Sequence, residues 1–260
     1  MSHPLAGINI LVTRPAHQAD ELACGIRRAG GEPVLFPVLE ILDTTRQESL
    51  LNLIGRLDEF DLAIFISPNA ADKALEQIRG KRTFPTRLKV AAVGQATARQ
   101  LAHYGIDEVI APATRFDSEA LLELEELKQV EGKRIVIFRG DGGRELLGEN
   151  LVKRGAALEY AECYRRVKPE ADITPLQRVG ARGEIHGVTM TSSEGLRNLC
   201  QMIGEDGQAW LKNTPLFVSH ERIAHTAGKL GFTHVILAAA GDNGLLEGLL
   251  KHFRAVSTQP

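Results

Sequence analysis

Short apolar segments alternate with amphipathic stretches along the whole chain. Such alternation is typical of βαβ units, and segments that are apolar throughout suit parallel strands buried on both faces. The pattern predicts strands at residues 8–13, 33–37, 62–67, 90–93, 108–111, 134–138, 158–164, 187–191, 216–219 and 234–238. It predicts helices at residues 16–29, 70–79, 97–103, 118–128, 144–154, 194–202 and 223–229. The predicted fold class is therefore α/β with parallel sheets.

The two halves of the chain resemble each other in the order of their segments. ILVTRP at 10–15 corresponds to IVIFRG at 135–140, IFISPNA at 64–70 to VTMTSSE at 188–194, and VAAVG at 90–94 to LFVSH at 216–220. Such a repeat allows two successive domains, 1–130 and 131–260. It equally allows a crossed-over chain that leaves the first domain near 36–41 and returns near 160–167. The segment pattern alone is compatible with both layouts.

Composition narrows the class of protein. A chain of 260 residues has room for two domains, and its 43% hydrophobic and 25% charged residues are typical of globular proteins. The net charge of −2 predicts no general attraction to nucleic acid or to an anionic membrane. The three cysteines show no metal-ligand spacing, and no signal peptide or long apolar run is recognisable. We expect a cytoplasmic protein without a metal site.

Several common catalytic and nucleotide-binding motifs are missing. There is no GxxxxGK[ST] loop, GxSxG elbow or HExxH pair in the sequence. The glycine cluster Gly140–Gly143 follows a predicted strand and precedes a helix, but Glu145 occupies the position of the last glycine of GxGxxG. Nucleotide or dinucleotide binding is therefore poorly supported.

Small polar residues and arginines recur where a predicted strand meets the next helix. They lie in the segments 13–15, 67–69, 94–97, 139–140, 191–193 and 219–222. In open parallel sheets these strand ends line the ligand crevice, and helix N-termini there bind anions. Ser67, Asn69, Ser192 and Ser193 could instead serve only as helix caps. The candidate binding residues from these segments are Arg14, Ser67, Asn69, Gln95, Thr97, Arg139, Gly140, Ser192, Ser193, Ser219, His220 and Arg222. Arg144, at the end of the glycine cluster that follows Arg139, is a further candidate.

These segments together resemble the uroporphyrinogen-III synthase family. The similar segments run in order along nearly the whole chain: VTRP at 12–15, FISPNA at 65–70, AVGQATA at 92–98, FDSEALL at 116–122, FRGDGGREL at 138–146 with its following leucine, YRR at 164–166, TSSEGL at 191–196, VSHER at 218–222 and AAGD at 239–242. The chain departs from the family at Glu221 and Arg222, where a Thr-Thr pair is frequent.

The resemblance implies the crossed-over layout. Residues 1–37 and 167–260 would form one flavodoxin-like domain and residues 38–166 the other, joined by linker segments at about 36–41 and 160–167. The active site would lie in the cleft between the domains. The resemblance also implies a monomer that acts on a tetrapyrrole precursor without a cofactor or a metal. We further expect transient contact with the upstream bilane-forming enzyme.

The implied reaction is the closure of hydroxymethylbilane to uroporphyrinogen III. The substrate's own pyrrole nitrogen helps expel its hydroxyl, so the enzyme mainly holds a folded geometry and supplies a proton. The resemblance makes Tyr164 the candidate proton donor, with Ser67 and Thr97 as further functional positions. His220 is the second choice of donor, since its ordinary pKa suits neutral-pH chemistry. Arg14, Arg139, Arg144 and Arg222 would bind the substrate's carboxylates.

Two rival functions remain at this point. A two-domain protein of this kind could bind a small anionic ligand without catalysis. A nucleotide-dependent reductase could use the glycines at 140–143. Turnover of the bilane by the purified chain, without additives, would separate all three.

Overall fold

The structure is a computed structural model that describes residues 3–115, 117–143 and 145–257, with backbone alone at 256 and 257. The strands in chain order are β1 (Asn9–Val12), β2 (Glu32–Leu35), β3 (Glu40–Asp43), β4 (Leu62–Phe65), β5 (Lys89–Ala92), β6 (Val109–Ile110), β7 (Arg134–Gly140), β8 (Ala157–Val167), β9 (Gly187–Met190), β10 (Leu216–Val218) and β11 (Val235–Leu237). The helices are α1 (Asp20–Arg28), α2 (Gln47–Gly55), α3 (Pro68–Lys81), α4 (Gln95–His103), α5 (Ser118–Leu122), α6 (Glu125–Lys128), α7 (Leu146–Lys153), α8 (Thr174–Ala181), α9 (Ser193–Asn213), α10 (Glu221–Lys229) and α11 (Gly241–Ser257). Short 3₁₀ turns precede α1 and β4, at Ala16–Gln18 and Leu57–Glu59.

The chain divides into two compact units. Unit 1 is Met1–Glu40 with Val167–Pro260, and unit 2 is Ile41–Arg166. Strand β1 lies in a sheet with β2, β9, β10 and β11, whereas β4 lies in a different sheet. Two segments distant in sequence therefore build unit 1, and one continuous segment builds unit 2.

Unit 1 contains a five-stranded sheet in the order β11-β10-β9-β1-β2, with parallel pairing throughout. Its central strands are buried because both faces carry apolar side chains that meet helices. Leu11, Val188 and Val218 pack on one face with residues of α9 and α10. Ile10 and Phe217 pack on the other face with residues of α1 and α11.

Unit 2 contains a six-stranded sheet in the order β3-β8-β7-β4-β5-β6. The register is parallel for the pairs β8–β7, β7–β4, β4–β5 and β5–β6. Phe65 of β4 and Phe138 of β7 stack with ring centroids 4.7 Å apart inside one apolar layer. The carboxyl ends of β4, β5, β7 and β8 point the same way, so the residues that follow them share one edge of the sheet.

The predicted α/β fold with parallel sheets is confirmed. The structure also contains β3, α2, α8 and α11, which the sequence pattern did not predict, and the predicted helix at 118–128 is two short helices, α5 and α6. Helix α9 has non-helical dihedrals at Gly204, so it consists of two helical segments joined by a kink, and the predicted helix at 194–202 corresponds to the first segment. Among the described residues, no helix is long and apolar enough to cross a membrane.

Candidate functional site

Tyr164 and Ser67 meet at the carboxyl edge of the unit 2 sheet. Ser67 follows β4 and precedes α3, and Tyr164 lies near the end of β8. Their hydroxyl oxygens are 3.2 Å apart, and either one can donate the hydrogen bond. Two of the residues that the sequence pointed to as functional are thus in direct contact.

The local backbone explains the position of Ser67. Its dihedrals are extended, Pro68 starts the helix, and the Ser67 hydroxyl accepts a hydrogen bond of 3.1 Å from the N–H of Ala70. Serine is a favoured N-cap because it satisfies one of the free N–H groups of the first turn. A hydroxyl can donate one hydrogen bond and accept two. Ser67 can therefore cap α3 and still donate to Tyr164.

A β-bulge sets the direction of the Tyr164 side chain. The β7–β8 register pairs Arg139 with Glu162 but Gly140 with Tyr164, so Cys163 is an extra residue on β8. The aromatic ring of Tyr164 lies against Gly140: a Cβ at that position would be 2.7 Å from Cε2 and Cζ of the ring. Gly140 thus has a packing reason to lack a side chain, besides its predicted place in the binding site.

The phenol of Tyr164 is a neutral proton donor at ordinary pH. Tyr164 is only 4% exposed, and this burial raises its pKa above the ordinary value of a phenol, while the Ser67 hydrogen bond and the charge of Arg166 act in the opposite direction. Burial disfavours the charged tyrosinate, whereas a donor to the oxygen favours it. The group is suited to act as an acid and not as a base.

Arg139 is buried and already paired. Its side chain is 3% exposed, its Nη1 lies 3.0 Å from Oε1 of Glu145, and its Nε donates to the carbonyl oxygen of Gly142 at 3.2 Å. Its guanidinium carbon also lies 4.7 Å from the centre of the Tyr160 ring. The sequence predicted a carboxylate-binding arginine at this position, but the structure does not present a free, exposed one. The hydrogen bonds to Tyr160 and Arg139 lower the pKa of Glu145.

Other predicted residues of unit 2 lie at helix starts. Gln95 and Thr97 are in the first turn of α4, where Thr97 is 3% exposed and Gln95 Nε2 donates to the carbonyl oxygen of Pro112 at 3.1 Å. The N-cap of α4 is Gly94, which has no side chain to cap the helix. Asn69 lies in the first turn of α3. The predicted residue Arg144 is outside the described residues.

In unit 1, Arg14 follows β1 and forms an ion pair with Asp242 of α11, with Nη2 2.5 Å from Oδ1. Both side chains are largely buried, 19% and 10% exposed. Burial raises the pKa of Asp242, while the charge of Arg14 lowers it. Like Arg139, Arg14 has an acidic partner at a position where the sequence predicted a substrate-binding arginine.

The remaining predicted residues of unit 1 follow β9 and β10. Ser192 caps α9, with its hydroxyl accepting a hydrogen bond of 2.8 Å from the N–H of Gly195, and Ser193 accepts one of 3.1 Å from the Thr226 hydroxyl. Ser219 is 7% exposed, and His220 is the N-cap residue of α10 without a capping side-chain hydrogen bond. His220 and Arg222 are exposed.

Sequence reasoning missed the acidic partners. Glu145 was considered only for its effect on a glycine motif, and Asp242 only as part of AAGD at 239–242. An acidic residue that follows a strand-end arginine by a few positions was a usable signal for Glu145. Asp242 is too far from Arg14 in sequence for any local pattern to pair them. Among the described residues, no cluster of three His, Cys, Asp or Glu side chains is placed to hold a metal ion.

Comparisons with known proteins identify the family of the chain. The family model described as uroporphyrinogen-III synthase HemD matches residues 20–247. Uroporphyrinogen-III synthases of Salmonella typhimurium and Escherichia coli are each 35% identical over 242 residues, covering 92% of this chain and 98% of the relative. In fold, the chain is similar to the Thermus thermophilus uroporphyrinogen III synthase mutant, with a TM-score of 0.64, 15% identity and coverage of 97% and 100%. The chain belongs to the uroporphyrinogen-III synthase family.

Proposed function

We propose that the chain closes hydroxymethylbilane to uroporphyrinogen III, a dehydrating cyclisation that inverts the terminal pyrrole ring and makes the enzyme a lyase. The observation that carries this proposal is the 35% identity to two uroporphyrinogen-III synthases over 92% of the chain. The same similarity favours catalysis over the alternative of a binding protein for a small anion. We further propose that the reaction needs no cofactor.

Tyr164 is the proposed acid. The contact of 3.2 Å allows Ser67 to donate its hydroxyl hydrogen to the Tyr164 oxygen while it accepts from the N–H of Ala70, and in that direction the phenol hydrogen is free for the substrate. The phenol gives its proton to the leaving hydroxyl, which departs as water as the C–O bond breaks. The pyrrole nitrogen's electron pair forms the new C=N double bond of an azafulvene. A positioned acid of this kind contributes about 10²–10⁴-fold to the rate.

The later steps depend on geometry. The substituted carbon of the terminal ring attacks the azafulvene carbon to give a spiro intermediate. That intermediate fragments and closes again with the terminal ring inverted, and loss of a proton restores aromaticity. No redox change occurs, and water is the only product besides the macrocycle. Holding reactive ends close together can lower a barrier by several kcal/mol, so many weak contacts to the substrate matter more than one strong group.

The open helix starts are the proposed carboxylate sites. The N-termini of α4 and α10 carry no side-chain cap. Their first-turn N–H groups, apart from that of Ile223, which donates to the His220 carbonyl oxygen, are the proposed donors to substrate carboxylates. Gln95, Thr97, Ser219, His220 and Arg222 stand at these two helix starts. Asn69, Ser192 and Ser193 remain proposed contacts at the starts of α3 and α9.

The layout of the protein follows from the same proposal. We propose that units 1 and 2 are the two flavodoxin-like domains, joined by the two linker segments near 36–41 and 160–167. Residues from both would then contact one substrate molecule. We also propose a cytoplasmic monomer that meets the upstream bilane-forming enzyme only transiently.

The experiment is direct. Chelator-treated, dialysed protein is incubated with hydroxymethylbilane, and the oxidised products are separated by isomer. The III isomer should dominate. Formation of the I isomer alone, at the rate seen without protein, would contradict the proposed function.

A further inference from the structure

Cys163 and Tyr164 are consecutive residues that pack in the same apolar cluster of unit 2. In a regular strand, neighbouring side chains point to opposite faces of the sheet. Ala161 and Cys163 follow that alternation, and a regular strand would turn Tyr164 to the other face. The register shift between Arg139 and Gly140 makes Cys163 the extra residue and brings Tyr164 to the face of Ser67. The position of the phenol thus depends on the bulge.

The thiol of Cys163 connects the bulge to its surroundings. Its Sγ lies 3.1 Å from the carbonyl oxygen of Arg139, at the step where the register shifts. Its Sγ is also 3.6 Å from the carbonyl oxygen of Ala70, in the first turn of α3. The side chain is 2% exposed. One thiol therefore touches both the strand that carries Gly140 and the helix that Ser67 caps.

The Cys163 thiol is suited to a structural role as a hydrogen-bond donor. Burial raises the pKa of Cys163 to about 12, which keeps it a thiol. The nucleophilic and metal-binding form of cysteine is the thiolate, so this residue is poorly suited to covalent chemistry. A neutral S–H group remains able to donate a weak hydrogen bond.

We propose that Cys163 is a positioning residue, whose thiol holds the β-bulge that places the Tyr164 phenol between Gly140 and Ser67. Three contacts then fix the position of the phenol: the Ser67 hydroxyl at its oxygen, the Cα of Gly140 against its ring, and the Cys163 thiol next to its backbone. The catalytic part of this inference rests on the proposed acid role of Tyr164. The positioning of the Tyr164 side chain by Cys163 does not depend on that role.

The test compares two substitutions of the same residue. Cys163→Ala removes the donor, and Cys163→Ser keeps one. Tyr164 ionisation is isolated as the difference between the alkaline absorbance titration of each variant and that of the same variant carrying Tyr164→Phe. Cys163→Ala should bring the pKa of Tyr164 down toward its ordinary value and lower kcat about tenfold with little change in KM. Cys163→Ser should keep the pKa of Tyr164 close to that of the unmodified protein and keep kcat within about threefold of it.

Cys200 supplies the matched control. It is a half-buried free cysteine of α9 in unit 1. Cys200→Ala should leave the Tyr164 titration unchanged. If Cys163→Ala does not fold by circular dichroism, Cys163→Val, apolar and without a donor, takes its place in the comparison.

The outcomes separate the two proposals. Positioning is overturned if the donor-free variant titrates like the unmodified protein, if Cys163→Ser shifts as far as Cys163→Ala, or if Cys200→Ala produces the same shift. A Tyr164→Phe enzyme with unchanged kcat removes the proposed acid role. In that case the titration still decides whether Cys163 holds the phenol.

Discussion

Arg139 Nη1 lies 3.0 Å from Oε1 of Glu145, yet the arginine side chain is 3% exposed and the glutamate side chain is 52% exposed. The cation is therefore fixed inside unit 2, while its partner remains accessible to water. A substrate carboxylate that binds at Nη1 would have to replace Glu145. We expect Arg139 to matter first for the stability of the loop that follows β7.

The first prediction concerns that stability. Arg139→Ala removes the ion pair, the hydrogen bond to Gly142 and the stacking on Tyr160, and should lower the free energy of unfolding by about 1–3 kcal/mol. Arg79 is the control: it stacks on Tyr104 at 4.5 Å and donates to the Tyr104 carbonyl oxygen at 2.7 Å, but it is exposed, so Arg79→Ala should cost about 1 kcal/mol or less. Urea unfolding followed by circular dichroism measures both. Equal losses would show that the burial of Arg139 adds nothing.

The second prediction concerns the proposed acid. Tyr164→Phe should lower kcat by about 10- to 1,000-fold and still yield the III isomer, because substrate nitrogen and water partly replace the donor. Ser67→Ala and Thr97→Ala should each cost about tenfold or less, the effect of one neutral hydrogen bond. Because burial raises the pKa of Tyr164, kcat should not fall between neutral pH and the ordinary pKa of a phenol. Steady-state kinetics with isomer analysis over that pH range tests all three expectations.

Two results would count against Tyr164 as the proton donor. A Tyr164→Phe enzyme with unchanged kcat would remove the phenol from the mechanism, and His220→Ala would be the next variant to measure. Loss of the III isomer in Tyr164→Phe would instead show that the residue controls geometry and not proton transfer.

Hydrophobic pattern alone predicted every strand of both sheets except β3, because central parallel strands are apolar along their whole length. It missed β3 and α2, since Glu40–Asp43 is a short edge segment with charged ends and Gln47–Gly55 follows it closely. It predicted only the first segment of α9, which ends at the kink at Gly204, and missed the second segment, which ends at Asn213.

The candidate site was predictable in part. Ser67 and Tyr164 were both identified from sequence, but their contact spans 97 positions and depends on a bulge. Strand pairing with one extra residue leaves no mark in the local pattern of apolar and polar residues. The partner of Arg14 was missed for a similar reason, because Asp242 is distant in sequence and only the folded chain brings the two together. The partner of Arg139, Glu145, is close in sequence and could have been found from its spacing.

The third prediction concerns alkaline stability. All three tyrosines lie in unit 2. Burial, with a hydrogen bond to Glu145, raises the pKa of Tyr160 to about 12, and burial with a hydrogen bond to Asp72 raises the pKa of Tyr104. The folded protein therefore keeps protons that the unfolded chain releases. This stabilisation is complete below about pH 10 and disappears as the pH rises toward the folded pKa.

Urea unfolding at about pH 9 and about pH 11 measures the effect, since these values bracket the ordinary pKa of a phenol. Tyr160→Phe should lose less stability between the two values than the unmodified protein does. Identical losses in the two proteins would show that Tyr160 does not contribute to the alkaline sensitivity.

The fourth prediction concerns the packing of α8 on α9 in unit 1. A Cβ at Gly180 would lie 2.2 Å from Cε2 of Trp210. Gly180→Ala should therefore displace the indole, shift the fluorescence of the single tryptophan and destabilise the protein by about 1–3 kcal/mol. Gly228 of α10 has open space around its Cβ position, so Gly228→Ala should instead stabilise by about 0.5–1 kcal/mol. A neutral Gly180→Ala would mean that α8 and α9 can separate without cost.

The fifth prediction tests whether Arg14 binds substrate despite its partner. Asp242 holds the guanidinium at 2.5 Å, and the pair is mostly buried. Asp242→Asn should release Arg14 and remove a negative charge that repels substrate carboxylates, so KM should fall about threefold or more, with the effect shrinking as salt rises. Arg14→Met should raise KM and also lower stability, because it leaves a buried carboxylate unpaired. In the double variant Arg14→Met/Asp242→Asn stability should partly recover, because no unpaired charge remains, whereas KM should stay high. Recovery of KM together with stability would show that Arg14 acts only through folding, and the carboxylate site would then have to be assigned to the helix starts alone.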